Sequence, residues 1–163
     1  MSEYRVVVGK ETLVFAAAHF ITFGANGCEP LHGHNYGVGV TLEGGLDRDD
    51  LVYDFIALKK DMEAILQEID HRVLLPESNP HLTIEISGGE VEIRHATRRF
   101  VLPRSDVAFL AVSNTTAEKI AECLGLRLIQ VLSGCRAESL TRIEVEVEET
   151  RGQSAFWAAP LRA

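Results

Sequence analysis

The sequence predicts a single α+β domain, and three observations carry that reading. Segments that alternate apolar and polar residues, the mark of strands with one wet face, occur near both ends of the chain. Two other stretches repeat apolar residues at spacings of three and four, the mark of amphipathic helices. The length of 163 residues, 46% hydrophobic and 25% charged, suits one domain (1–163) with its own core.

The elements follow in order. Residues 4–19 are rich in Val, Leu and Phe and are interrupted by Gly9-Lys10, which reads as a strand or a hairpin. A polar, Gly-containing loop covers 22–30. Residues 35–42 alternate as a second strand, and Gly44-Gly45 marks a turn. The spacing of Phe55, Leu58, Met62, Ile65, Leu66 and Ile69 predicts a helix over 54–69 with one apolar face. Asp54 suits its N-cap, because a carboxylate can accept the free amide hydrogens of the first turn. Residues 82–87 and 90–95 flank Gly88-Gly89 as a hairpin, and 98–102 offer a third strand. Thr115-Thr116-Ala117-Glu118 reads as a capping box opening a second helix. Ile120, Leu124, Leu128 and Val131 continue its stripe, and Gly134 is its expected stop. Residues 140–148 alternate apolar and acidic side chains as a further strand. The order is β-β-α-(β-hairpin)-α-β-β.

Charge and cysteine count exclude several function classes. A net charge of −8 disfavours non-specific binding to nucleic acid or to an anionic membrane. No apolar run approaches the ~18 residues of a membrane span. The segment MSEYRVVVGK lacks a basic region followed by an apolar one, so no signal peptide is expected. Three cysteines do not make a disulfide framework and fit a reducing compartment, hence a cytoplasmic location. Cys123 and Cys135 lie in or near a helix and read as structural.

The six histidines are more informative. His32 and His34, two apart in LHGHNY, project from one face if the chain is extended. His19 ends the first strand, where an antiparallel neighbour would bring it alongside. Three imidazoles with no fourth protein ligand form a catalytic zinc pattern, with one position open for water or substrate. The same H-x-H spacing also suits ordinary polar strand residues. Cys28, four residues before His32, is either a base or nucleophile favoured by a nearby cation or a small buried hydrophobe. Asp70-His71 is either an oriented acid/base pair or a helix end whose imidazole meets free carbonyls. Glu149 could grip a pair of N–H groups, or be one more solvated charge beside Glu144, Glu146 and Glu148. His81 and His95 read as surface residues.

In sum these segments resemble the 6-pyruvoyltetrahydropterin synthase and 6-carboxytetrahydropterin synthase family. FAAAHF resembles the element of its first metal histidine, His19. CEPLHGHNY resembles its Cys-x3-His-Gly-His element, with Cys28, His32 and His34. VYDFIALK and IDHRVL resemble its helix entry and its Leu-Asp-His element, the latter with Asp70 and His71. NTTAEKIA resembles its Pro-Thr-x-Glu helix start, and the late EET its strand-end Glu-Thr. Six elements in the right order are far more specific than any one of them.

The resemblance implies a tunnelling fold: an antiparallel four-stranded sheet with two helices on one face, three subunits joined into a barrel, and two trimers stacked into a hexamer. It implies Zn2+ held by His19, His32 and His34, and active sites between subunits. Cys28 would be the base, with Asp70 and His71 from a neighbouring subunit as a second relay. Glu149 would anchor the pterin, with Thr116 and Glu118 lining the same pocket. The implied substrate is 7,8-dihydroneopterin triphosphate, with loss of triphosphate. The product would be 6-carboxytetrahydropterin, on the route to queuosine and other 7-deazaguanines, or 6-pyruvoyltetrahydropterin, on the route to tetrahydrobiopterin. An aldolase-like cleavage to 6-hydroxymethyldihydropterin is the alternative, since relatives of that kind carry a Glu near the cysteine position and Glu29 adjoins Cys28. A non-enzymatic pterin- or purine-binding module is the third reading.

The sequence departs from the family in two further places. The stretch from His71 to Asn114 is roughly thirty residues longer than expected, so 76–110 reads as an inserted β-rich segment. It could extend the sheet edge, cover the active site, make a subunit contact or be a peripheral decoration. Asn114-Thr115-Thr116 stands where the family more usually has Asn-Pro-Thr, beside the expected pocket.

Overall fold

The computed structural model of the protein describes residues 3–133 and 139–161. Gly134 and Cys135, read above as helix stop and structural cysteine, lie outside the described residues.

The interrupted segment at the start becomes two strands, β1 (Tyr4–Val8) and β2 (Val14–His19), which do not pair with each other. Both run antiparallel to β5 (His32–Gly44): Val8 faces Val40, and Val14 faces Gly37. Together they form one broken strand along a single edge of β5, not a hairpin. Between β2 and β5, β3 (Thr22–Phe23) and β4 (Gly27–Cys28) form a minimal ladder in the polar loop.

Helix α1 spans Phe55–Gln67, and the Asp54 carboxylate accepts from the amides of Ile56 and Ala57, as its cap position predicts. Leu58, Met62, Ile65 and Leu66 are buried, and Ile69 is buried just beyond the helix end. Phe55 departs from the predicted stripe: it sits on the first turn, 54% exposed.

The sheet is larger than the four antiparallel strands expected. Among the described residues it has seven, in the order β10-β6-β2-β5-β11-β12 with β1 also on β5. The additions are β6 (Arg72–Pro76) and β10 (Val107–Leu110), and the pairs β2–β6 and β6–β10 are parallel, so the sheet is mixed. Both are short, nearly continuous apolar runs, RVLLP and VAFL. Strands covered on both faces lack the alternation by which the other strands announce themselves.

The inserted segment forms its own three-stranded antiparallel sheet of β7 (Thr83–Ser87), β8 (Glu90–His95) and β9 (Arg98–Pro103). Gly88 and Gly89 close the β7–β8 hairpin with φ of 59° and 83°, a left-handed pair that explains both glycines. These three strands do not extend the main sheet, but β10, also within 76–110, forms its edge beside β6, as one of the expectations for the segment had it. The three-stranded sheet packs Val91 and Ile93 against Phe20, Leu75 and Val107 in a second small core.

Helix α2 (Ala117–Ser133) lies over β11 (Leu140–Thr150) and β12 (Gln153–Pro160). The expected capping box is displaced by one residue. Thr116 Oγ1 accepts from the Lys119 amide, while Thr115 Oγ1 donates to the Phe20 carbonyl. Ile120, Leu124 and Leu128 are buried as predicted, but Val131 is 38% exposed. The two helices and one face of the sheet enclose the main core, in which Phe15, Tyr36, Val38, Val40, Leu42, Ile143, Val145 and Val147 meet the helical side chains.

Candidate functional site

Strand periodicity places the site. On β2 the core-facing residues are Phe15, Ala17 and then His19; on β11 they are Ile143, Val145, Val147 and then Glu149. On β5 the parity of buried Tyr36, Val38, Val40 and Leu42 continues back to His34 and His32. The apolar face therefore turns polar at one end of the sheet, on three adjacent strands at once. The β2–β5 register sets His19 directly opposite His32 and Ala17 opposite His34.

The three imidazoles present ligand atoms that all lie within 4.8 Å of one another. Ring centroids are separated by 4.7 Å for His19–His32, 4.9 Å for His32–His34 and 5.3 Å for His19–His34. His19 is fully buried, and its Nδ1 lies 2.7 Å from the Thr115 carbonyl oxygen. His32 Nδ1 lies 2.8 Å from the Pro30 carbonyl oxygen. A carbonyl oxygen only accepts, so each Nδ1 carries the proton and each Nε2 keeps its lone pair.

Glu149 Oε1 stands 3.1 Å from His19 Nε2 and 3.7 Å from His34 Nε2, yet none of these three buried atoms makes a hydrogen bond. Unshared electron pairs converging in a buried space call for a cation, and this donor set fits a divalent metal ion. Burial drives the His19 pKa down, only partly countered by the Thr115 carbonyl and the Glu149 carboxylate, and the neutral ring is the form that binds metal. The Tyr36 phenol is buried against Glu149, and its pKa is pushed up, first by desolvation and then by that carboxylate.

Beside this cluster lies an open pocket of about 370 Å³ lined by Thr116, Glu118 and Glu149, with Ile21, Phe23 and Ser154. The three residues expected to bind substrate thus share one cavity. Glu149 is not one more solvated charge in an acidic run. Glu146 and Glu148 point to the opposite face, where each accepts from Lys10 Nζ at 2.8 Å.

Cys28 is half-buried on β4, where it pairs with Thr22. Its Sγ donates to the Glu29 carbonyl at 3.3 Å. Burial pushes the thiol pKa up, and the Arg98 guanidinium acts against that shift. Glu29 reaches further toward the histidines, with Oε2 4.0 Å from His32 Nε2.

Asp70 and His71 form the expected pair: Oδ2 lies 2.9 Å from His71 Nδ1, and Oδ1 accepts from the Ala16 amide at 2.8 Å. That amide bond, with help from His71, holds the Asp70 pKa below the usual carboxylate range. His71 adopts φ of 57° and exposes 81% of its side chain. Its groove, about 450 Å³, runs over Ala16, Ala18, Gly33 and Asn35 and also reaches Ala17 and, of the histidine cluster, His34. Among the described residues, the three histidines cluster without His71, although His34 lines the same groove.

His81 is exposed as expected, but His95 is not a surface residue: it is 1% exposed, with Nε2 3.1 Å from the Gly24 carbonyl oxygen. Cys123 is a buried free thiol, as read from its helical position. Sequence reasoning assigned no role to Tyr36, although HGHNY carries the right parity, and did not foresee the contact of Asn114, whose amide bonds both the carbonyl and the N–H of Thr22 at 3.0 and 3.3 Å. Asn114 belongs to a contact between distant segments, which no local pattern announces.

Comparisons with known proteins agree with this geometry. The model of the 6-pyruvoyl tetrahydropterin synthase family matches residues 9–159. A putative 6-carboxy-5,6,7,8-tetrahydropterin synthase of Methanocaldococcus jannaschii is 33% identical over 146 residues, covering 89% of each chain. The dihydroneopterin monophosphate aldolase of Pyrococcus furiosus is 38% identical over 60 residues, covering 37% of this chain and 50% of that one. The 6-pyruvoyltetrahydropterin synthase of Plasmodium vivax, solved in a form whose catalytic glutamate is replaced by alanine, superposes with a TM-score of 0.91. It is 26% identical, over 98% of this chain and 99% of that one.

Proposed function

Because the chain belongs to the 6-pyruvoyl tetrahydropterin synthase family, we propose that this lyase is zinc-dependent and converts 7,8-dihydroneopterin triphosphate and water to 6-carboxytetrahydropterin, with release of triphosphate and of the two outer side-chain carbons as acetaldehyde. The observation that carries the reading is the convergence of His19, His32 and His34, with Glu149, which also lines the neighbouring pocket, against His19 and His34. Similarity to the Methanocaldococcus jannaschii protein favours the carboxy product over 6-pyruvoyltetrahydropterin; a queuosine-type route in the cytoplasm is proposed with it.

In this reading His19, His32 and His34 hold Zn2+. The bound metal supplies a Lewis acid that polarises oxygens of the substrate side chain. Glu149 accepts the pterin's N–H edge as a two-oxygen clamp, and Thr116 and Glu118 complete that pocket. Cys28, once ionised, removes a proton from a side-chain carbon. Asp70 orients His71, which moves a proton on the other side. The exposed position of His71 supports its service to a neighbouring subunit's site, and hence a homo-oligomer, assigned as a hexamer of two trimers. Val7, Phe55 and Ile56 support association too: they are 51%, 54% and 79% exposed and line one groove of about 540 Å³.

A second reading is favoured by one contact, Glu29 Oε2 at 4.0 Å from His32 Nε2. A carboxylate there could act as the base of an aldolase-like cleavage to 6-hydroxymethyldihydropterin. The Plasmodium vivax enzyme has a catalytic glutamate, and the Pyrococcus furiosus relative is an aldolase. Mass analysis after incubating zinc-loaded protein with dihydroneopterin triphosphate, with an aldehyde trap, separates the readings. A 6-carboxy product supports the first reading and a 6-hydroxymethyl product the second. Absence of turnover overturns both and leaves a binding module.

A further inference from the structure

The three-stranded sheet of the inserted segment grips the loop that carries Cys28 and Glu29. Arg98, the first residue of β9, directs a single guanidinium nitrogen at two successive carbonyls: Nη1 donates to Cys28 O at 2.8 Å and to Glu29 O at 2.7 Å. Two neighbouring carbonyls tied to one nitrogen fix the turn of the peptide between them, and so the directions in which both side chains leave the backbone. The guanidinium is itself supported. Its carbon lies 5.1 Å from the centroid of the Phe100 ring, and Phe100 stacks on Phe20 at 5.1 Å with an interplanar angle of 11°. Phe20 directly follows His19. Buried His95, the last residue of β8, meets the Gly24 carbonyl in the same loop. Cys28 packs against the insert's small core, whose centre is Val91 and Ile93.

We propose that the inserted sheet is a buttress for the candidate active-site loop, and that Arg98 is a positioning residue that aims Cys28 and Glu29 through their main-chain carbonyls. This rests on the reading above that one of those two side chains is the base. The guanidinium beside the thiol also opposes the upward shift that burial imposes on Cys28, in keeping with this role. The insert is then no peripheral decoration: it acts on the loop from behind.

The test compares zinc-loaded parent, Arg98→Ala and Arg98→Lys. Ile84→Ala, which weakens the same small core without touching Arg98, is the stability control. Arg98→Ala is expected to lower kcat about 10- to 100-fold with KM changed less than about threefold, as loss of alignment does. Zinc content and folded fraction should stay at the parent's values. A lysine ammonium can also donate to two carbonyls, so Arg98→Lys should return kcat to within about threefold of the parent. Amide exchange over 27–31 should quicken about tenfold in Arg98→Ala and recover in Arg98→Lys. Should Arg98→Ala not fold, Arg98→Gln takes its place under the same criteria. A kcat within twofold of the parent, or a loss that merely follows folded fraction or zinc content as in Ile84→Ala, overturns the proposal. If the parent itself turns over no pterin, the functional reading fails and amide exchange alone decides: unchanged exchange overturns the buttress, and quickened exchange sustains it.

Discussion

At the scale of residues, the histidine cluster is held by backbone as much as by side chains. His19 is fixed through the Thr115 carbonyl and His32 through the Pro30 carbonyl, which leaves both Nε2 atoms free. Removal of one ring should therefore remove the metal and not merely weaken the packing. For His34→Ala we expect zinc affinity to fall by more than about a hundredfold, beyond the 10- to 100-fold typical of losing an outer-shell partner. Competition with a chromogenic chelator reads this directly; parent-like affinity would show that the cluster is not the site. Asp70 gives a second residue-scale expectation. Its folded pKa lies below the ordinary one, so its stabilising effect is full above the carboxylate range and disappears as pH falls through the folded value. Asp70→Ala should cost about 1 kcal/mol at pH 7, the worth of a typical hydrogen bond. Urea titrations of variant and parent should converge at the acid end; a gap independent of pH would assign the loss to packing. The partners of these residues were legible in the chain only where chemistry is local. The pair Asp70-His71 and the doublet His32-x-His34 are adjacent in sequence, whereas Asn114 with Thr22, or Arg98 with Cys28, join segments about seventy to ninety residues apart.

At the scale of elements, legibility followed the wet face. Residues 35–42 and 140–148 alternate because one side meets the core and the other meets solvent or charge, and both are strands. The strands β6 and β10 were hidden by their double-sided burial, which leaves short runs without a period. The capping motif pointed to the correct turn but not to the correct threonine, since Thr115 is drawn into a bond with Phe20 O. Helix α2 supplies the element-scale prediction. Gly125 faces the six-membered part of the Trp157 ring, and a β-carbon built there collides with Cζ3 and Cε3. Gly125→Ala should lower stability by about 1–3 kcal/mol through overpacking, despite alanine's better helix propensity. The loss should shrink in a Trp157→Phe background, whose smaller ring leaves room. Chemical denaturation checks both, and a stabilised Gly125→Ala would show that α2 does not press on β12 at this point.

At the scale of the whole molecule, the proposed reaction asks an acidic chain to bring together a metal cation and a polyphosphate. The net charge of −8 repels a triphosphate at long range. Part of that charge is matched locally, since Lys10 sits between Glu146 and Glu148, and Arg142 between Glu43 and Glu144. Moderate salt should therefore lower KM for the triphosphate substrate by screening the repulsion; a KM that rises with salt would instead reveal a basic phosphate site. The exposure of His71, 81% of its side chain, makes assembly part of the proposed function. Light scattering should give six times the chain mass of 18.0 kDa, and a monomer with full turnover would contradict a relay supplied between subunits. The family fold was readable from six ordered motifs, but the inserted sheet was readable only as strands and not as a support for the Cys28 loop. The proposed reading stands or falls on Cys28, four residues before His32 of the candidate metal cluster, as the base of a pterin lyase. It is tested most directly by the products that zinc-loaded parent, Cys28→Ala and Glu29→Ala form from 7,8-dihydroneopterin triphosphate. The account predicts a 6-carboxy product from the parent, a rate about 10²- to 10⁴-fold lower for Cys28→Ala, and the same product from Glu29→Ala at near-parent rate. Parent-like turnover by Cys28→Ala, with the loss falling on Glu29→Ala, would contradict it.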